Sequence, residues 1–179
     1  MTTFFTRMPS PAGDLLLAGD GDELTALWID GQRWATAIRD DWRPAAEPFA
    51  EAMLQLREYF VGVRTAFDLP LRLNGTPFQT EVWQALMRIP FGQTRTYGAI
   101  AAELGRPQAA RAVGAANGQN PFCIVVPCHR LIGANGGLVD YAAGLEVKRA
   151  LLAHEARVTD AALTGSGKPG TPHPPGEDR

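Results

Sequence analysis

Nowhere in the 179 residues does an apolar run approach the roughly 20 residues needed to span a bilayer. Residues 1–12 (MTTFFTRMPSPA) also lack an apolar stretch of signal-peptide length, so a soluble, unprocessed, cytoplasmic protein with no membrane contact is expected. Cysteine is scarce, with only Cys123 and Cys128. If the segment between them is extended, a rise of about 3.3 Å per residue keeps the two thiols too far apart to bridge. Free thiols in a reducing compartment are the expectation. The three histidines, His129, His154 and His173, show no CxxC or HxxxH spacing with the cysteines or with each other, so the common zinc patterns are missing. No metal and no cofactor is expected.

An excess of one charge is missing overall, the net charge being -2, but the distribution is uneven. Residues 1–76 carry -4, residues 77–157 carry +3 and the remainder carries -1. The second segment is therefore the one suited to meet an anion such as a nucleic-acid backbone. With 45% apolar and 20% charged residues the chain can bury a core.

The first third alternates short apolar runs (FFTRM, LLLA, LTALWI) with turn clusters (SPAGD, GDGDE), the pattern of a β-meander. A helix is predicted over about Glu47 to Phe60, with Phe49, Met53, Leu56 and Phe60 on one face, followed by a short strand near Thr65 to Leu71. Asn74-Gly75 marks a domain boundary. Beyond it the pattern turns helical. Thr76-Pro77-Phe78-Gln79 fits a capping box opening a helix that ends near Pro90-Phe91-Gly92. Thr96 caps a second helix, Tyr97 to Leu104, stopped by Gly105, and Pro107 fits the first turn of a third, to about Asn117 with Gly118 past its end. Two short helices joined by a Gly-containing turn read as a helix-turn-helix. PFCIVV (121–126) is most economically a buried strand or extended segment, delivering Pro127-Cys128-His129-Arg130, and a last helix runs from about Leu145 to Ala156. Residues 159–179 are dense in Gly, Pro, Ser and Thr and read as disordered. Expected domains are thus 1–74, α/β; 75–158, mainly helical; and the 159–179 tail.

A cysteine is a nucleophile only as thiolate and needs a base or a cation nearby. In PCHR, His129 can take the Cys128 proton directly or through water, Arg130 can favour the anion, and Glu155 is a candidate to fix the histidine tautomer. Taken singly, Asn120 also fits a turn residue, Tyr97 a core aromatic and Arg111 a solvated charge. His154 reads as a surface residue, Trp83 as core and Cys123 as an inert buried thiol.

The elements FQ..VW..L..IP.G.T.TYG.IA, A.RAVG.A...NP, I..PCHR and K..LL..E occur in order within about 80 residues, and the opening SPAGDLLLAG agrees. This stretch resembles the active domain of the O6-alkylguanine-DNA alkyltransferases. The resemblance implies an α+β protein: a small N-terminal α/β domain of ribonuclease H-like shape, then a mainly helical, winged-helix-like domain that holds a helix-turn-helix. It implies a protein that flips the damaged nucleotide out of double-stranded DNA and transfers the alkyl group of O6-alkylguanine, with O4-alkylthymine as a further substrate, irreversibly to its own cysteine. Carried over by motif, Cys128 is the alkyl acceptor, His129 the base acting through water, Glu155 the residue orienting it and Asn120 a residue ordering the active-site turn. Tyr97 donates to the leaving guanine and Arg111 fills the space left by the flipped base. Where GYxGGL is usual, this chain reads Asp140-Tyr141-Ala142-Ala143-Gly144, a loop expected to wall the alkyl pocket with Tyr141 and Ala142 as substrate contacts. A monomer is expected, with cooperative assembly on DNA left open. Relatives that bind lesions without repair lack the cysteine, regulators add a zinc-binding sensor, and a Cys-His hydrolase would need an oxyanion site; none of these fits the residues present.

Overall fold

The computed structural model describes residues 2–165 except Trp34 and Thr36. The meander is present: β1 (Phe4–Met8), β2 (Leu15–Gly19) and β3 (Leu24–Ile29) pair antiparallel in sequence order. A two-residue β4 (Arg43–Pro44) adds parallel to β1, giving the sheet order β3-β2-β1-β4. Alternation places Leu15, Leu17, Leu27 and Ile29 against the main core, while Leu16, Ala18, Ala26 and Trp28 form a second cluster with Phe5, Ile38 and Trp42. Both faces of β2 and β3 are thereby buried.

The predicted first helix is a 3-10 turn, Glu47–Phe49, running into α1 (Ala50–Phe60). Its inward face is Ala52, Gln55, Leu56 and Tyr59, while Met53 and Phe60 are only half-buried. The expected strand near 65–71 is not formed. One bridge joins Leu71 to Leu24, and the remainder is irregular, because residues 70–72 meet only the first residue of β3.

The helical half follows the capping signals closely. Thr76 Oγ1 accepts from Gln79 N at 3.3 Å and Gln79 Oε1 accepts from Thr76 N at 2.8 Å, so the box read from TPFQ opens α2 (Pro77–Met87). Thr96, in a two-residue strand β5 (Arg95–Thr96), caps α3 (Tyr97–Glu103), accepting from Ala99 N at 3.1 Å. The helix ends as Gly105 adopts φ +70° and the amides of Gly105 and Arg106 reach back to Ala102 O and Ala101 O, two bonds that require the left-handed glycine. The next helix, α4 (Ala110–Gly118), starts three residues later than Pro107 suggested. Residues 106–109 form a separate turn closed by Ala109 N to Arg106 O, and Gly118 lies within the last turn. Trp83 is core, as expected, its indole donating to Ala116 O at 2.9 Å and fastening α2 to α4.

The segment 121–126 is buried but is not a strand. Leu27 N donates to Pro121 O and Cys123 N to Leu27 O, so it touches the free edge of β3 at one bridge. It then turns, with Val126 N on Phe122 O at 2.9 Å and Ile124 at φ +72°, an outlying conformation for a β-branched residue. After a 3-10 turn, Cys128–Arg130, a strand β6 (Leu131–Ile132) pairs parallel with β5. The last helix, α5 (Leu145–Gly165), runs well beyond Ala156. Residues 159–165, expected to be disordered, are helical: Val158 packs on Gly62, Thr159 bonds to Glu155 O, and Ala161, Ala162 and Leu163 are good helix formers. The rest of the expected tail, residues 166–179, lies outside the described residues. The α+β architecture expected from the sequence, a small sheet domain followed by a helical one, is the one observed.

Candidate active site

Cys128 opens the 3-10 turn and is 3% exposed, on the wall of a cavity of about 450 Å3. The turn that delivers it is held by Asn120. Its Nδ2 donates to Val126 O at 2.8 Å and its Oδ1 accepts from Phe122 N at 2.9 Å, so one buried amide spans the residues leading to the thiol.

Behind the cysteine lies a closed polar network. His129 is fully buried, with Nε2 2.7 Å from Glu155 Oε1. The same carboxylate accepts from Arg130 (Nε to Oε2 3.0 Å, Nη2 to Oε1 3.0 Å), from Tyr59 Oη at 2.8 Å and from Gly92 N at 3.0 Å. Burial alone would raise the Glu155 pKa, but the bonds from His129 and Arg130 outweigh it and hold the carboxyl far below its usual range. Burial lowers His129 despite Glu155, so the ring is neutral. With Glu155 ionised, Nε2 carries the proton and donates, leaving Nδ1 as a bare base. That Nδ1 is buried without a protein partner.

In front, the Cys128 thiol is brought down from 9.0 to about 7, first by hydrogen bonding with Cys123 and against the opposing effect of burial, with Asn120, Tyr141 and Lys148 assisting. Cys123 is buried, as expected, and its thiol is pushed well above its usual range, first by hydrogen bonding with Cys128 and then by burial. It lines the same cavity, its Sγ lies 2.8 Å from Gln32 Oε1, and the turn at 122–126 brings it back to Cys128, removing the premise of an extended segment. Both thiols are free.

The remaining expected residues converge on the cavity: Tyr97 at the start of α3, Arg111 on α4, and Tyr141 and Ala142 in the loop before α5. Burial pushes the Tyr97 phenol up to about 12, so it stays a donor at neutral pH. Arg111 is exposed and has no acidic partner among the described residues. Tyr141 is 4% exposed with its hydroxyl close to the Cys123 and Cys128 thiols, while Asn117 Oδ1 has no hydrogen-bond partner among the described residues. His154, expected at the surface, is half-buried: Nε2 lies 2.8 Å from Tyr59 O and the ring packs on Tyr59, Phe60 and Phe91. Sequence reading missed Tyr59, Arg130 as a Glu155 partner, Gln32 and Arg33. Arg130 lies within PCHR itself, but its partner Glu155 is 25 residues on; Tyr59, Gln32 and Arg33 share no local pattern with PCHR and come from the first half of the chain, Tyr59 from α1 and the other two from the turn after β3. Among the described residues no group of His, Cys, Asp or Glu is placed to hold a metal.

Two family profiles cover nearly all of this framework: the 6-O-methylguanine DNA methyltransferase ribonuclease-like domain at residues 3–73 and the DNA-binding domain of the same family at residues 77–157. The chain belongs to the 6-O-methylguanine DNA methyltransferase family. A methylated-DNA--protein-cysteine methyltransferase of Mycobacterium tuberculosis is 49% identical over 160 residues, 89% of this chain and 96% of the relative. The constitutive one of Bacillus subtilis is 44% identical over 83% of this chain and 93% of its own length. A crystal structure of Mycobacterium tuberculosis OGT in complex with DNA superposes with TM-score 0.84 at 49% identity, over 90% of this chain and 98% of that one. Asp140, in the loop expected to wall the pocket, is paired by Arg33 through both oxygens, at 2.7 and 2.9 Å. No helix among the described residues is long and apolar enough to cross a membrane.

Proposed function

We propose that this protein repairs DNA by direct reversal, moving the alkyl group of O6-alkylguanine, and of O4-alkylthymine, onto Cys128 in one irreversible turnover. The observation that carries this reading is a buried thiol on the wall of a cavity of about 450 Å3, followed in the same turn by a neutral buried histidine whose Nδ1 has no protein partner. A water between Nδ1 and Sγ relays the Cys128 proton to His129, which Glu155 holds in the required tautomer. The thiolate attacks the alkyl carbon, the S–C bond forms as C–O6 breaks, and the guanine departs while accepting a hydrogen bond from Tyr97. The proton taken up by His129 passes on to the departing guanine, so thiol plus alkylguanine becomes thioether plus guanine. A thioether offers no good leaving group, which limits each molecule to one event.

The partner is double-stranded DNA, met by the basic half through the helix-turn-helix, with Arg111 entering the stack as the damaged nucleotide leaves it. The protein acts as a monomer in the cytoplasm, without metal or cofactor. Residues 1–74 support the site, residues 75–158 bind DNA and carry the chemistry, and residues 159–179 are appended to them. Cys128→Ser tests the assignment, since a hydroxyl is nearly the size of a thiol but far less acidic. Transfer from an O6-methylguanine oligonucleotide should fall by at least about a thousandfold with DNA affinity retained. Transfer persisting in this variant refutes Cys128 as acceptor.

A further inference from the structure

Part of the pocket wall comes from the first half of the chain. After β3, Gln32 folds back on its strand: its amide donates to Ile29 O at 3.0 Å, and its Oε1 accepts from Ile29 N at 3.1 Å while lying 2.8 Å from Cys123 Sγ. The next residue reaches the opposite wall. Arg33 N donates to Ala142 O at 2.9 Å, and its guanidinium bonds to both carboxylate oxygens of Asp140, 107 residues away. From the other side Lys148 Nζ donates to Val139 O at 2.7 Å. The loop 139–142 is therefore clamped between α5 and the turn after β3, and Arg33, Asp140 and Ala142 all border the cavity that holds Cys128.

The side chains of the pair are 54% and 63% exposed. An ion pair that open to solvent adds little to folding stability, whereas the two-point geometry of guanidinium on carboxylate fixes orientation. Arg33 holds the Asp140 carboxyl below its usual range, so the pair is ionised at neutral pH. Its charges cancel within the pair.

We propose that Arg33 is a specificity-determining positioning residue: its clasp on Asp140 and Ala142 holds the 139–142 loop across the mouth of the Cys128 pocket and limits the size of alkyl group that reaches the thiol. With the side-chain pair broken, the loop keeps the Arg33 N–Ala142 O bond and its anchor on the α5 side but loses the two-point hold on Asp140. Larger adducts then enter more readily, and a small methyl group is less firmly placed for attack. The inference rests on Cys128 being the acceptor.

The test uses the full chain at saturating protein, measuring single-turnover transfer from duplex oligonucleotides bearing O6-methylguanine or O6-benzylguanine. Arg33→Leu should raise the benzyl-to-methyl rate ratio roughly fivefold while slowing methyl transfer about twofold. Asp140→Asn, which keeps the size and removes the charge, should move the ratio the same way. Exchanging the two residues (Arg33→Asp with Asp140→Arg) should return it towards the wild-type value. In the wild type the ratio should climb with ionic strength as the exposed pair is screened. An unchanged ratio in both single variants, or an equal loss on both substrates, overturns the clasp while leaving Cys128 as acceptor. A wild-type protein that transfers neither group overturns the functional reading itself.

Discussion

The two sides of Cys128 are built on opposite rules. Behind it, Glu155 receives bonds from His129, Arg130, Tyr59 and Gly92, and nothing remains to be satisfied except His129 Nδ1. In front, the cavity wall carries Asn117 Oδ1, with no hydrogen-bond partner among the described residues, and Arg111, exposed and with no acidic partner among them. Leaving buried polar atoms unpaired costs stability. The contrast separates a support that is finished before any ligand arrives from a surface that is completed by one. Orientation of the base is thereby fixed in advance, and the capacity to accept new contacts is confined to the side that faces the cavity.

Breaking the rear network should have the largest effect. Glu155→Ala leaves the Arg130 charge buried and unpaired and should cost about 3–5 kcal/mol, seen as a fall in the urea midpoint. A loss below about 1 kcal/mol would mean that the network is not the rigid support described.

The front should respond in rate rather than in stability. Arg111→Ala should slow repair of duplex DNA roughly tenfold while scarcely affecting transfer from free O6-benzylguanine, which needs no flipping. Equal losses on both substrates would place Arg111 in the pocket or fold instead. Loss of a simple phosphate contact would show as weaker binding across all sequences and a salt slope reduced by about one.

Titration sharpens the contrast further. Because His129 is depressed in the folded state, the unfolded chain binds more protons as pH falls below 6.5, and stability is lost in that direction. Unfolding free energy should decline by up to about 1.4 kcal/mol per pH unit below that point, and His129→Gln should remove this component. A wild-type slope identical to that of the variant would show that the ring charges as easily folded as unfolded.

The smallest expected change is at Cys123. Its hydrogen has two acceptors in reach, Gln32 Oε1 and the Cys128 sulfur. Cys123→Ala should move the midpoint of the transfer rate upward from about 7 by less than about one pH unit, and Cys123→Ser, which keeps a donor, should restore it. No movement in the alanine variant would remove Cys123 from the activation of the thiol.

Legibility followed the range of the interactions. Local signals were read correctly where the responsible atoms are neighbours in sequence: Thr76 with Gln79, Thr96 with Ala99, and the turn at Gly105. The run PFCIVV misled because apolar content alone cannot distinguish a buried strand from a buried turn, and the deciding bonds come from the Asn120 side chain. Met53 and Phe60 misplaced the α1 face for a related reason, since polar Gln55 is buried by bonding to the backbone of Asp68. Arg33 and Tyr59 reach the site from 107 and 96 residues away from their partners, and no spacing rule links such positions. Cys128, His129 and Glu155 were named from the ordered motifs, and the 2.7 Å between His129 Nε2 and Glu155 Oε1 supplies an electrostatic reason for pairing the last two.

The most direct test is the mass of the intact protein, followed by peptide mapping, after incubation with excess O6-methylguanine duplex. A single gain of about 14 Da confined to the peptide containing Cys128, with no second turnover, is the predicted result. A methyl group on Cys123, or more than one guanine restored per protein molecule, would contradict the account.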